Sequence, residues 1–249
     1  EALTGVTSTA ATQALATAAA PPANPTVAAS AGPLAIAENA APPPKVASSE
    51  TKSVLWPHST ILAKAQLAET TVMEWIRDHG KQYGELQFAY NYLPHNDAPK
   101  VHIVRPEEGN SIWFIGDVHG DILALDAALD YIDTRSGPKP TIIFLGDLFD
   151  RFVYGKEVLM RVLDLIISRP GKIMWLAGNH DDALAYKDGQ FSSNSRPDEF
   201  AQWLNANQEK YADFGRWLIG LCQLLPRALF FDDGLCVVHG GSPSFDMSK

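Results

Sequence analysis

Aspartate, histidine and asparagine recur in this sequence where apolar runs end. The first cluster is Gly116-Asp117-Val118-His119-Gly120, and two further clusters occupy Gly146–Arg151 and Gly178–Asp181. Further along the chain, another histidine, His239, precedes a pair of glycines. Carboxylate, imidazole and amide groups together are ligands for divalent metals such as manganese, iron or zinc. Metal binding is therefore the chemistry that these residue types predict.

A regular alternation of strands and helices would position the clusters. Apolar runs predict strands at 111–115, 141–145 and 172–177, with amphipathic helices near 121–134 and 156–168 between them. This β-α-β-α-β order favours parallel strands with right-handed crossovers. Because ligands bind at the carboxyl ends of the strands in such sheets, we expect the clusters to meet at one edge.

The flanking regions give weaker signals. A helix is predicted from Ser59 to Gly80, and a longer helical region from about 198 to 225. Residues 228–238 indicate a β-hairpin, with Asp-Asp-Gly at its turn. Residues 187–197 form a polar stretch, and Arg196-Pro197-Asp198-Glu199 is predicted to be a solvated helix start.

Each cluster alone has a simpler structural interpretation. Asp117 or Asp121 could cap a helix, and Asn179 with His180 could form a turn. The three clusters each follow a predicted strand, and His239 follows a predicted hairpin. This recurrence favours one shared site over the alternative that each cluster serves only its local turn or helix cap. A carboxylate shared between two ions would hold them ~3.5–4 Å apart, the spacing of two-metal phosphoryl-transfer sites.

Composition separates the chain into two parts. Residues 1–52 are rich in alanine and proline with few charges, which predicts a disordered tail or linker, and residues 53–249 form the second part. A net charge of −9 argues against non-specific nucleic-acid binding. No apolar run approaches the ~20 residues of a membrane span. A cytoplasmic location is slightly favoured, and a secreted or periplasmic one stays open because the first residue is not methionine.

The clusters, taken with His239-Gly240-Gly241-Ser242-Pro243 and residues 224–228, resemble the signature set of the phosphoprotein phosphatase family of calcineurin-like metallophosphoesterases. The resemblance covers residues 111–245. It implies an α/β fold of the four-layer α+β type, in which a β-α-β-α-β core belongs to a two-sheet sandwich flanked by helices.

The same resemblance implies a site with two divalent metal ions, manganese being favoured and iron or zinc being alternatives. Asp117 and His119 would bind the first ion, Asp147 would bridge both, and Asn179 and His239 would bind the second. A water activated by both ions would attack phosphorus.

The remaining site residues would serve catalysis and substrate binding. His180, oriented by Asp150, would protonate the leaving group as general acid. Arg151 would bind the phosphate oxygens, with Asn179 as a further substrate contact. The implied function is a metal-dependent phosphoric monoester hydrolase, with a serine/threonine protein phosphatase favoured. The alternatives are a hydrolase of dinucleoside polyphosphates or other small phosphates, and a truncated non-catalytic module that binds metal or protein.

Three features depart from the family pattern. Phe152 stands where a glycine is usual after the arginine, and Asp181 stands where glutamate is usual. The family also supplies a further metal-binding histidine and a second phosphate-binding arginine beyond the position of His239. We therefore expect the sequence to be the N-terminal portion of the domain, incomplete at Lys249.

Overall fold

The computed structural model describes residues 58–89, 100–105, 107–137 and 140–241. The elements in chain order are α1 (His58–His79), a 3-10 helix (Tyr83–Glu85), β1 (Val101–Val104), β2 (Ile112–Ile115), α2 (Ile122–Arg135), β3 (Thr141–Phe144), α3 (Gly155–Ser168), β4 (Ile173–Trp175), α4 (Asn179–Ala183), β5 (Leu184–Lys187), β6 (Gln190–Ser193), α5 (Glu199–Ala206), α6 (Gln208–Cys222), β7 (Ala228–Phe231) and β8 (Cys236–Val238). The predicted tail at 1–52 lies outside the described residues. Among the helices of the described part, none has the length and apolarity to cross a bilayer.

The predicted β-α-β-α-β unit forms a parallel sheet in the order β2-β3-β4. Strand β3 lies in the middle, and its residues Ile142, Ile143 and Phe144 are fully buried. A strand buried on both faces must be apolar throughout, which explains the continuous apolar run in the sequence. The mixed α/β class and the three strands of this unit are therefore confirmed.

A second sheet has the order β1-β7-β8, with β1 parallel to β7 and β7 antiparallel to β8. The hairpin of β7 and β8 is as predicted, whereas β1 was not foreseen because the sequence around it is mixed. Leu229, Phe231 and Val237 of this sheet are buried in the same hydrophobic core as the first sheet. The Phe114 ring of β2 also meets the Phe231 ring edge-on at 6.4 Å. Two sheets thus enclose the core from which the site loops emerge.

The helical region predicted at 198–225 is two helices, α5 and α6. They are separated at Asn207, whose side-chain amide donates a hydrogen bond to the Trp203 carbonyl at 2.8 Å. An asparagine that bonds locally to the backbone competes with helix continuation, which accounts for the break. A short antiparallel hairpin, β5 with β6, also occupies 184–193, and the polar composition of the sequence from 187 onward did not predict it.

Candidate metal centre

The loops after β2 and β3 have unusual backbone angles. His119, Asp147, Asp150 and Arg151 all have positive φ, between 48° and 69°. Such angles cost a non-glycine residue of order 1 kcal/mol and are concentrated at functional sites. The four residues lie in loops that follow parallel strands, at the carboxyl edge of the sheet.

Two glycines allow the loops after β3 and β4 to approach each other. Gly146 has a φ of 110°, and a Cβ added there would lie 2.6 Å from the Gly178 Cα. A Cβ added to Gly178 would in turn overlap the Asp147 backbone and carboxylate. Only glycine fits either position, and the contact brings Asp147 beside the start of α4.

His119 is oriented as a ligand. Its Nδ1 lies 3.0 Å from the Phe149 carbonyl oxygen, which can only accept a hydrogen bond, so Nδ1 carries the proton. The opposite nitrogen, Nε2, lies 3.6 Å from an Asp117 oxygen and 3.5 Å from Asp147 Oδ2. This Nε2 is buried and has no hydrogen-bond partner. A cation between these three groups would satisfy them all.

His239 has the same orientation on the other side of Asp147. Its Nδ1 is 2.9 Å from the Leu145 carbonyl oxygen. Its Nε2 lies 3.5 Å from Asp147 Oδ2 and 3.2 Å from Asn179 Oδ1. Because the imidazole proton is on the nitrogen that faces Leu145, Nε2 presents a lone pair to the Asp147 and Asn179 oxygens. These lone pairs repel one another, and a cation between them would bind all three.

Asp147 belongs to both groups of donors. Ligand atoms of Asp117, Asp147 and His239 lie within 4.8 Å of one another, as do those of His119, Asp147 and His180. Asp147 Oδ1 accepts a hydrogen bond from the His180 backbone N–H at 2.9 Å, which leaves Oδ2 facing both histidines. The donor types and their convergence fit two divalent ions that share this carboxylate.

His180 and Asp150 form a buried pair, each about 1–2% exposed. His180 Nδ1 lies 2.7 Å from Asp150 Oδ2, and Asp150 Oδ1 accepts from the Phe200 N–H at 2.7 Å. Burial raises the pKa of Asp150 above its ordinary value, although both hydrogen bonds favour the charged form. His180 Nε2 is left to act either as proton donor or as metal ligand.

Arg151 is exposed and lines a cavity of about 340 Å³ together with Asp117 and His119. Phe152 lines the same cavity. Because the positive φ angles fall on Asp150 and Arg151 and not on Phe152, a phenylalanine in the usual place of glycine needs no strained backbone.

Asp121, not Asp117, caps α2, since its Oδ1 accepts from the Ala124 N–H at 3.0 Å.

Asp181 links the loops after β3 and β4 through hydrogen bonds, a role that the sequence did not reveal. Its Oδ2 accepts from the backbone N–H groups of Asp147 and Gly178, both at 2.8 Å. Burial raises its pKa to about 6; the backbone hydrogen bonds oppose this rise, and the nearby Asp147 charge adds to it. Its place in the third cluster was the only available signal.

The polar stretch and the predicted helix start that follows it also contact the site. Residues Ser195, Glu199 and Phe200 bond to Asn179, Arg151 and Asp150 respectively. The predicted helix start is present, because α5 begins at Glu199 and the side chains of Arg196 and Glu199 are exposed, but the contacts with the site were not predicted. No sequence signal could identify these contacts, because they join common residue types 16 to 50 positions apart.

Comparison with known proteins gives matches over the same region. The sequence model described as calcineurin-like phosphoesterase matches residues 111–248. The chain is 26% identical over 131 residues to the serine/threonine-protein phosphatase 6 catalytic subunit of Caenorhabditis elegans, covering 52% of this chain and 36% of that protein. It is 32% identical over 137 residues to a putative serine/threonine-protein phosphatase of Schizosaccharomyces pombe, covering 53% of this chain and 40% of that protein. The matched region thus spans about two fifths of these relatives.

Among solved structures, the chain resembles a protein serine/threonine phosphatase from Saccharomyces cerevisiae described as similar to human phosphatase PP5. The TM-score is 0.41 at 20% identity, covering 75% of this chain and 49% of that one.

Proposed function

Because the chain belongs to the calcineurin-like phosphoesterase family, we propose that it hydrolyses phosphoric monoesters with the help of two divalent metal ions. We further propose that its substrates are phosphoserine and phosphothreonine side chains of proteins. The observation that carries the proposal is Asp147, whose Oδ2 faces His119 on one side and His239 on the other at 3.5 Å. Sequence similarity to serine/threonine-protein phosphatases supports the choice of substrate.

The described residues include candidate ligands for both ions. Asp117 and His119 would hold the first, Asn179 and His239 the second, and Asp147 would bridge them. When bound, the two ions supply Lewis acidity and allow water to act as a nucleophile at neutral pH. Manganese suits this mixture of oxygen and imidazole ligands, as do iron and zinc.

Three side chains would then serve the reaction directly. His180 would donate its Nε2 proton to the leaving alkoxide, while Asp150 at 2.7 Å holds the ring and stabilises its protonated form. Arg151 would bind phosphate oxygens through its forked guanidinium and offset their charge. Arg151 lines the same cavity as Asp117 and His119, which supports this role.

Phosphate release with Mn²⁺ tests the proposal, with a phosphothreonine peptide and a dinucleoside polyphosphate as rival substrates. We expect faster release from the peptide and no release with EDTA. Asp147→Asn should abolish activity, whereas Asp133→Asn, which alters an exposed ion pair with Arg169, should leave it unchanged. Faster release from the dinucleoside polyphosphate would contradict the proposed substrate class. Metal binding without any hydrolysis would favour a non-catalytic module.

A further inference from the structure

The segment Ser193–Phe200 joins β6 to α5 and touches the site at three points. We call this segment the strap. Ser195 contacts Asn179, the Glu199 carboxylate accepts from the Arg151 N–H at 3.3 Å, and the Phe200 N–H donates to Asp150 at 2.7 Å. One short segment thus reaches a predicted metal ligand, the phosphate-binding loop and the partner of His180.

The contact between Ser195 and Asn179 fixes which way the amide faces. The Ser195 hydroxyl lies 2.9 Å from the Asn179 backbone oxygen, which can only accept, so the hydroxyl proton points there. The hydroxyl lone pairs therefore face the Asn179 side chain and require its NH₂ group, at 3.1 Å. Asn179 Oδ1 is consequently turned the other way, to 3.2 Å from His239 Nε2.

Ser195 is itself held in place by the strap. Its N–H donates to the Ser193 Oγ at 3.1 Å, and Ser193 is buried. The Arg196 guanidinium donates to the Ser193 carbonyl at 2.9 Å and pairs with Asp198 at 2.7 Å. The hydroxyl therefore approaches Asn179 from an ordered backbone.

We propose that Ser195 is a positioning residue, which orients the Asn179 amide so that its oxygen faces the metal ion held with Asp147 and His239. This inference rests on the two-metal site of the proposed function. Mutating a group that orients a metal ligand typically weakens metal affinity 10–100-fold. For a single neutral hydroxyl we expect the lower end of this range, about 10-fold. Among the described residues, the Ser195 hydroxyl bonds to Asn179 and not to Asp117 or His119, so the affinity of an ion held by those two side chains should be independent of this hydroxyl.

Titration of the full chain with Mn²⁺ by calorimetry tests this inference. Ser195→Ala is expected to weaken one of two binding events about 10-fold and to leave the other unchanged. Ser195→Thr keeps the hydroxyl and should restore the affinity. Ser192→Ala, an exposed serine of β6 in the same hairpin, is the matched control and should bind both ions as the unaltered chain does.

A double-mutant cycle separates positioning from a general effect on the hairpin. Because Ser195 acts through Asn179, Ser195→Ala should cost nothing further in an Asn179→Ala background. The unfolding midpoint of Ser195→Ala in EDTA should match that of Ser192→Ala.

Two unchanged affinities in Ser195→Ala would overturn the inference while leaving the proposed function intact. A loss that Ser192→Ala reproduces, or one that adds fully to the Asn179→Ala loss, would also overturn it. Failure of the unaltered chain to bind two ions would instead contradict the two-metal site itself, before any variant is compared.

Discussion

At the scale of single residues, the candidate site depends on where histidine protons lie. His119 and His239 each give their Nδ1 proton to a backbone carbonyl, of Phe149 and Leu145 respectively, and so turn Nε2 toward Asp147. The sequence could identify both histidines from their positions after strands. It could not predict their orientation, because the accepting carbonyls come from another strand and its loop.

His180 offers a test at the same scale, because its Nε2 could donate a proton or bind metal. As general acid, His180→Asn should lower kcat by about 10²–10⁴-fold and leave both Mn²⁺ ions bound. Steady-state kinetics and metal analysis of one preparation measure both quantities, with His102→Asn on β1 as control. Loss of one ion in His180→Asn would show that this residue is a ligand and would contradict its assignment as the acid.

Asp181 gives a stability prediction. Asp181→Ala removes the acceptor of two buried N–H groups, those of Asp147 and Gly178, and should lower the free energy of unfolding by about 2–5 kcal/mol. Urea unfolding of the metal-free protein measures the change. The control Asp213→Ala removes an exposed pair with Arg216 and should cost under about 1 kcal/mol. Equal small losses would mean that the contacts of Asp181 do not hold the loops together.

At the scale of elements, the site exists because the loops after β3 and β4 touch. Apolar runs and the glycine-flanked clusters were enough to predict β2, β3, β4 and the helices between them. Local signals could not predict the strap or β1, since both are stabilised by contacts with distant residues. The break at Asn207 was missed for a different reason, because helical periodicity outweighs one polar residue in a sequence pattern.

Gly146 and Gly234 form a matched pair for testing this contact. Both have positive φ, 110° and 91°, but a Cβ at Gly146 would meet Gly178 whereas one at Gly234 would meet nothing within 4 Å. Gly234→Ala should cost about 1–2 kcal/mol for its backbone alone. Gly146→Ala should cost about 1–3 kcal/mol more because the two loops must separate. Thermal unfolding of both variants gives the comparison, and equal losses would contradict the close approach.

At the scale of the whole molecule, Glu69 connects three helices. The carboxylate on α1 accepts hydrogen bonds from Lys156 on α3, at 2.6 Å, and from Lys210 and Tyr211 on α6, at 2.9 and 2.6 Å. Burial opposes the charged form, but these hydrogen bonds and the Lys156 charge outweigh it and lower the pKa of Glu69 to about 2. Folding therefore favours the ionised carboxylate.

The sign of the resulting pH dependence follows from this lowered pKa. Glu69 contributes stability above pH 4.5, its ordinary pKa, and loses it as pH falls toward 2. Glu69→Gln should cost about 2 kcal/mol at pH 7, and the difference from the unaltered chain should shrink between pH 4.5 and 2. Urea unfolding across this range measures it. A difference independent of pH would mean that packing, and not ionisation, accounts for the effect of Glu69.

The shared carboxylate of Asp147 is the central claim, and electron paramagnetic resonance of the Mn²⁺-loaded chain tests it most directly. Two ions ~3.5–4 Å apart should give the spectrum of an exchange-coupled pair. Asp147→Asn should abolish the coupling, and Asp133→Asn should preserve it. If the spectrum at saturating metal shows isolated Mn²⁺ ions alone, the two-metal site is contradicted. Coupling that survives in Asp147→Asn would contradict the bridging role of Asp147.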